Sequence, residues 1–259
     1  MSDTGVLPTG SARDARRLYA DLAWTWPIIS PPEDYVEEAE GFCHLIREYA
    51  RIPARTVLDL GCGGGHNDAT FKRHFEVVGV DVSEPMLSLA RSLNPEVEYV
   101  VGDMRTVRLG RAFDAVVIAD SIDYMLTEAD LRAAFETASA HLRPGGVLVT
   151  YAEHEPETFR QNRTSATTRS RGDVEITLVE NSYDPDPADG TFEFTMVYLI
   201  RRGGILDVHV DRHLSNLFPL ETWRRNLRSS GLDVVELRRP FEDGEPEVPT
   251  FVALKPIHS

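Results

Sequence analysis

The stretch Thr56-Val57-Leu58-Asp59-Leu60-Gly61-Cys62-Gly63-Gly64-Gly65-His66 decides the fold. TVLDLG is a short apolar strand, GCGGGH a glycine-rich turn, and NDATFKRHF (67–75) a short helix. Glycines in such a turn let the backbone bend sharply and approach a ligand where any side chain would intrude. Working outward, the same grammar repeats. VVGVDV ends near Asp81, and Ser83 is an N-cap for the helix EPMLSLARSL. VEYVVGD is a third strand, and FDAVVIAD a fourth, apolar through its middle as a strand buried on both faces should be. Thr127 caps LRAAFETASAHL, and Pro144, Gly145 and Gly146 turn into a fifth strand, VLVTYAE. Strands alternating with helices predict a parallel sheet covered on both faces, with ligands outside the carboxyl ends of the strands.

Upstream, Ser11 caps an expected helix with Ala15, Leu18, Tyr19 and Leu22 on one face, and Pro27, Pro31 and Pro32 forbid its continuation through 24–32. A second helix is expected over Glu33–Tyr49. Downstream, VEITLVENSY, TFEFTMVYLIRR and ILDVHVDRH alternate with period two, as antiparallel strands do. Phe192, Phe194, Met196, Tyr198 and Ile200 share one face of the middle run. LETWRRNLRSSG then reads as a helix ended by Gly231, and LDVVELRR with TFVALKP as a closing antiparallel pair. The expected architecture is α/β: a Rossmann-like, seven-stranded, mostly parallel sheet with helices on both faces, plus a small antiparallel β insert after the fifth strand. The expected divisions are a helical cap (1–54), a core (55–154 and 216–259) and the insert (155–215), which roofs the acceptor site or serves a homodimer contact.

Composition narrows the chemistry. Lys and Arg total 27 against 42 Asp and Glu, a net charge of −15, which repels polyanions and speaks against a nucleic-acid partner. Two cysteines, Cys43 and Cys62, give no disulfide framework or zinc ribbon, and no metal site is expected. The first twenty residues lack the apolar core of a signal peptide, and no run of about 18 apolar residues occurs. A cytoplasmic protein without a membrane partner is therefore expected.

Asp81 stands twenty residues after Gly61 at the end of the next strand, where a carboxylate accepts hydrogen bonds from ribose hydroxyls. A dinucleotide fingerprint would place glycine at position 66, which here is His66, and Asp68 adds negative charge where a pyrophosphate would lie. Asp59 suits a ligand with an ammonium group, or else bonds the loop amides itself.

The motifs VLDLGCGGG (57–65), VVGVDVSEPML (77–87), VVGDMRTVRL (100–109), FDAVVIADSIDYM (113–125) and LRPGGVLV (142–149) together resemble the class I S-adenosylmethionine-dependent methyltransferases, in order and spacing. The resemblance implies S-adenosylmethionine as cofactor. Gly61, Cys62, Gly63 and Gly65 would line its methionine end, with Asp59 nearby. Asp81 would bind the ribose, Asp103 and Met104 would flank the adenine, Ala119 and Asp120 would lie beside the sulfonium, and Val82, Met86 and Gly102 would also belong to the cofactor site. DYVEEA (34–39), GDMRTVRLGRAFDAVV (102–117), PETF (156–159) and HLSNLF (213–218) extend the likeness to bacterial N,N-dimethyltransferases of nucleotide-linked deoxyaminosugars. In that group Tyr124 falls where a Tyr or His faces the acceptor, and Trp24 where a Tyr lies near the cofactor. TWPIISPPE (25–33) departs from the group's short glycine-rich link.

Tyr124, His154 and His213 are the expected catalytic candidates, with Tyr183 a fourth. His154 follows the fifth strand and either points over the cleft or is a solvated loop residue. His213 either acts on the acceptor or fixes the insert to the core. His209 is expected on the wet face of its strand, and the dipole of the helix that follows His66 should disfavour its cationic form. N-methylation of a small molecule is the leading reading. O-methylation of a carboxylate or hydroxyl is the nearest alternative, and a nicotinamide oxidoreductase or a non-catalytic nucleoside binder the more distant ones.

Overall fold

The computed structural model describes residues 14–240 and 247–257. Its central sheet contains β1 (Thr56–Leu60), β2 (Glu76–Asp81), β3 (Glu98–Val101), β4 (Phe113–Ile118), β5 (Leu142–Tyr151), β10 (Asp233–Arg239) and β11 (Val248–Leu254). The order is β10-β11-β5-β4-β1-β2-β3. The five strands from β1 to β5 run parallel, and β11 pairs antiparallel with both β5 and β10. The chain order reverses between β1 and β4, which opens a crevice at the carboxyl ends of these strands. All six residues of β4 are buried, as its unbroken apolar run requires.

Helices cover both faces. α2 (Val36–Tyr49), the single turn α3 (Asp68–Phe71) and α4 (Glu84–Leu93) share one apolar cluster with the sheet; α5 (Glu128–His141) and α6 (Leu220–Ser229) share the other. Ser83 Oγ accepts from Met86 N, and Thr127 Oγ1 from Asp130 N, so both expected N-caps form.

The expected N-terminal helix does not form in the described part, and Ser11 lies outside the described residues. Only a 3-10 turn over Arg17–Tyr19 is present. Arg16 is left-handed at φ 48°, and the Leu18 N–H donates to Asp211 rather than to a helical carbonyl. The spacing of Leu18 and Leu22 reflects packing against another sheet. After it come a 3-10 turn (Ala23–Thr25), the short α1 (Trp26–Ile29) with Pro27 in its first turn, and a 3-10 turn (Pro32–Tyr35) leading into α2.

The second sheet has four strands, β6 (Arg163–Arg171), β7 (Val174–Tyr183), β8 (Thr191–Arg202) and β9 (Ile205–Asn216), all antiparallel in sequential order. Three of them are legible as period-two runs. β6 (RTSATTRSR) is not, because every residue in it is exposed and it carries no apolar alternation. Gly203 and Gly204, both at positive φ, turn β8 into β9 as expected. Met196, Tyr198 and Ile200 bury themselves against Leu18 and Leu22, so most of the aromatic-rich face is core. His209 belongs to this inner face, not the wet one: it pairs with Tyr198, and its Nδ1 lies 3.4 Å from Arg17 Nη2.

Candidate active site

The crevice is built first from backbone. Gly61, Gly63 and Gly65 adopt φ of 83°, 52° and 72°, a region that side-chain-bearing residues enter only at a cost. Gly65 is doubly constrained, since a Cβ there would lie 2.6 Å from the Tyr99 hydroxyl and 2.8 Å from Asn94 Nδ2. The Ser121 hydroxyl donates to the Leu60 carbonyl and packs over Gly61. The N–H groups of Gly61 and Cys62 both donate to Val80 O, which ties the turn to β2.

Asp81 closes β2. Its carboxylate accepts from Gly63 N (2.9 Å) and Ser83 N (2.8 Å), which fixes its orientation and leaves other lone pairs free. Beside it Val82 is 66% exposed, an apolar side chain held open at the mouth of the crevice. Met86 is buried under Gly63, its Cε being the atom nearest a Cβ placed there. Gly102 N donates to Asp81 O, and Met104 packs toward Gly61. Asp103 is half-buried in a bidentate pair with Arg105, whose guanidinium holds its carboxyl below the usual range.

Under the turn, Asp59 and Asp68 are buried together. Burial raises both, Asp59 well above its ordinary value and Asp68 to about 6, and among the described residues neither Asp68 oxygen has a well-formed hydrogen bond. Lys72 acts on Asp68 only weakly against this burial, and two enclosed carboxyls so placed fit a ligand that brings an ammonium group. Asp120, after Ala119 at the end of β4, is open to water, yet desolvation is still the main influence raising it to about 6. Such a group lines a cleft rather than an outer surface. Tyr151 donates to it from β5.

Facing this cradle is a constellation of side chains. Tyr124, in the 3-10 turn after β4, lies 2.6 Å from His213 Nδ1 and 3.0 Å from the Tyr19 hydroxyl. His213 is fully enclosed, and its Nε2 lies 2.9 Å from Asp211 Oδ2. His154 follows β5, its ring 4.7 Å from that of Phe192, with Nδ1 3.8 Å from Asp123 and 3.9 Å from Glu153. Burial pushes its imidazole down, but the two carboxylates outweigh it and the pKa is raised. His66 is pushed down to about 4, as the sequence suggests, but the cause is burial, between Trp26 and Tyr35.

Two residues depart from expectation. Trp24 is 39% exposed with the Arg202 guanidinium over its ring; the N-terminal aromatic packed on the glycine turn is Trp26, and the one touching Tyr124 is Tyr19. Tyr183, at the end of β7, is largely exposed. Tyr19 and Asp211 were not legible as site residues. The one available signal for Asp211 is its spacing two residues before His213, which puts both on one face of a strand.

Comparison with known proteins agrees with this geometry. A methyltransferase-domain family model matches residues 57–146. The chain is 35% identical over 184 residues to a dTDP-3-amino-3,4,6-trideoxy-alpha-D-glucopyranose N,N-dimethyltransferase of Streptomyces venezuelae, covering 65% of this chain and 77% of the relative. It is 33% identical over 204 residues to a dTDP-3-amino-3,6-dideoxy-alpha-D-glucopyranose N,N-dimethyltransferase of Streptomyces fradiae, covering 78% and 79%. The X-ray structure of the sugar N-methyltransferase KedS8 from a Streptoalloteichus species superposes with a TM-score of 0.81 at 26% identity, covering 99% of both chains. A parallel sheet with a glycine turn and an acidic end to its second strand, joined to these likenesses, defines a class I methyltransferase fold. The chain belongs to the S-adenosylmethionine-dependent methyltransferases of the aminosugar N,N-dimethyltransferase type. It is an enzyme that uses S-adenosylmethionine to methylate a small molecule. No observation favours the nicotinamide reading.

Proposed function

We propose that the acceptor is the amino group of a nucleotide-linked deoxyaminosugar, and that the N-terminal segment and the second sheet form its binding side. The observation that carries this reading is the Tyr19–Tyr124–His213 cluster opposite the cofactor cradle, in a chain whose relatives are named for such substrates. When bound, the cofactor supplies an electrophilic methyl on a sulfonium. The protein's task is alignment, plus delivery of the amine with its lone pair free.

In this reading Asp81 holds the ribose, Asp59 and Asp68 the ammonium end, and Val82, Asp103 and Met104 flank the adenine. Tyr124 stands on the acceptor side and holds Tyr19, whose oxygen meets the amine, and His154, backed by Asp123, takes the proton from an amine that arrives charged. His213 acts through Tyr124. The acceptor is a small molecule rather than a nucleic acid, consistent with the charge of −15. No helix among the described residues is long and apolar enough to cross a membrane, and we place the enzyme in the cytoplasm. The outer face of the second sheet, where Val208 and Val210 are about half exposed, is the surface for a homodimer contact.

The test is incubation with radiolabelled S-adenosylmethionine and a panel of nucleotide-linked aminosugars, their hydroxyl analogues and small carboxylic acids. N-methylated sugar is the expected product. Transfer only to hydroxyl or carboxylate acceptors would replace this reading with O-methylation.

A further inference from the structure

The Tyr124 cluster continues beyond His213 to a residue that no resemblance points to. Asp211 lies two residues before His213 on the inner face of β9, opposite Met196, and its side chain is fully enclosed. Its Oδ2 accepts from the Leu18 N–H at 2.7 Å and lies 2.9 Å from His213 Nε2, while Oδ1 has no well-formed hydrogen bond among the described residues. We propose that Asp211 and His213 are positioning residues that fix the direction of a hydrogen-bond chain, Tyr19 to Tyr124 to His213 to Asp211, so that its phenol end meets the acceptor amine only as a hydrogen-bond acceptor. This inference rests on the amine reading above.

The direction follows link by link. Burial opposes ionisation of Asp211, but His213 and the backbone N–H groups of Arg17 and Leu18 outweigh it and its pKa is lowered. An ionised carboxylate only accepts, so the proton of the neutral ring sits on Nε2. Nδ1 is then a bare lone pair, and Tyr124 donates to it across 2.6 Å. With its one hydrogen committed, the Tyr124 oxygen can only accept from Tyr19 at 3.0 Å. The Tyr19 oxygen keeps free lone pairs. The Tyr19 carbonyl accepts from Ser83 Oγ just after β2, and its hydroxyl meets Tyr124 just after β4, so the residue spans the ends of these two strands.

The chemistry gives this direction a purpose. An amine attacks the methyl carbon with its lone pair as the carbon–sulfur bond electrons return to sulfur. A hydroxyl that donated to that nitrogen would occupy the same lone pair. An oxygen that only accepts grips an amine N–H and leaves the lone pair free. The neighbouring groups do not supply a competing donor to Nε2. Arg16 lies over the Tyr124 ring at 4.6 Å, while Arg17 is engaged with Asp21 and His209. Tyr198 donates to Met196 Sδ, and Asp123 faces His154.

The experiment is nitrogen-15 NMR of the histidine side chains in the full chain at pH 7.5, with the His213 signal assigned by its loss in His213→Asn, alongside steady-state kinetics with the aminosugar. The wild type is expected to show a neutral His213 ring protonated at Nε2. Asp211→Leu removes the acceptor; the ring is expected to move its proton to Nδ1, and kcat to fall about a hundredfold with KM within about threefold. Asp211→Asn is expected to keep the Nε2–H ring and restore kcat about tenfold or more over Asp211→Leu, because one amide oxygen can serve both contacts now made by Oδ2. Adding Tyr124→Phe to Asp211→Leu is expected to cost little more, since both act on one chain. An Nδ1–H ring or an imidazolium in the wild type overturns the proposal. So does an Asn variant that keeps the tautomer yet loses kcat a hundredfold, which also decides the matter if the Leu variant does not fold. A wild type that shows the Nε2–H ring but methylates no amine overturns the amine reading instead and leaves the chain's direction standing.

Discussion

The glycine turn and the tyrosine–histidine cluster face each other across one crevice, but they are made in opposite ways. Asp59, Gly61, Gly63 and Gly65 lie within seven positions of one another, and their work is done by backbone shape and by the end of the adjoining strand. Leu18 and Asp211 touch across 193 positions, and Tyr124 and His213 across 89. A site made of backbone is encoded locally, because φ and turn chemistry belong to single residues. A site made of converging side chains is encoded by packing, because each partner is placed by a different element. That difference separates the proposed cofactor side, built from motifs shared with a broad family, from the proposed acceptor side, built from contacts between distant segments.

The contrast can be broken by substitution. The largest effect is expected from Asp81→Ala, which removes the proposed ribose anchor and leaves the N–H groups of Gly63 and Ser83 without their acceptor. Calorimetry with S-adenosylhomocysteine should show Kd weakened about a hundredfold, from one or two lost charge-assisted hydrogen bonds of about 1.5–3 kcal/mol each. An unchanged Kd would remove the cofactor side from this crevice.

Next in size is a pair of glycines at positive φ. Gly65→Ala meets Tyr99 and Asn94 as well as backbone strain and should cost about 2 kcal/mol of stability. Gly172→Ala, between β6 and β7 with nothing within 4 Å, should cost only the strain, about 1 kcal/mol. Denaturant midpoints of the two variants measure this directly. Equal losses would mean that packing around the turn adds nothing.

A smaller effect concerns pH. Burial raises Asp68 and Asp120 to about 6, and Asp59 well above its usual range. Because the folded pKa values of Asp68 and Asp120 are raised, their stabilising contribution is complete below the unfolded value of about 3.8 and fades as pH rises through about 6. A cationic ligand prefers the ionised carboxylates, so its binding releases protons. S-adenosylmethionine should bind several-fold more weakly at pH 5.5 than at 7.5. S-adenosylhomocysteine, which lacks the sulfonium charge, should show a shallower slope. His66, held down to about 4, affects stability in the opposite sense, so binding rather than melting isolates the carboxylates. The smallest effect is expected on β6, where Thr167→Ala should change the unfolding free energy by less than about 0.5 kcal/mol.

Legibility followed the same divide. β1 to β5, their N-caps Ser83 and Thr127 and the closing antiparallel pair can all be read from the chain, because burial on both faces demands apolar runs and helix starts demand capping oxygens. The N-terminal segment misleads: Leu18 and Leu22 keep a helical spacing, yet the left-handed Arg16 and the bond from Leu18 to Asp211 hold it as a strap. Trp24 and Tyr19 are five positions apart in that strap, and only its path shows that Tyr19 reaches Tyr124 while Trp24 turns out beneath Arg202. His209 reads as wet because its neighbours Val208 and Val210 are apolar, but those two are the exposed pair.

By itself, then, the sequence determined the parallel sheet, the glycine turn proposed to hold the cofactor and the acid that closes β2, since each follows from conformational limits on a few adjacent residues. Only the tertiary structure decided which of several tyrosines and histidines meet, and that Asp211 stands behind them. Those contacts join segments whose separation along the chain carries no local signal, and they exist only once β9 and the N-terminal strap are packed together.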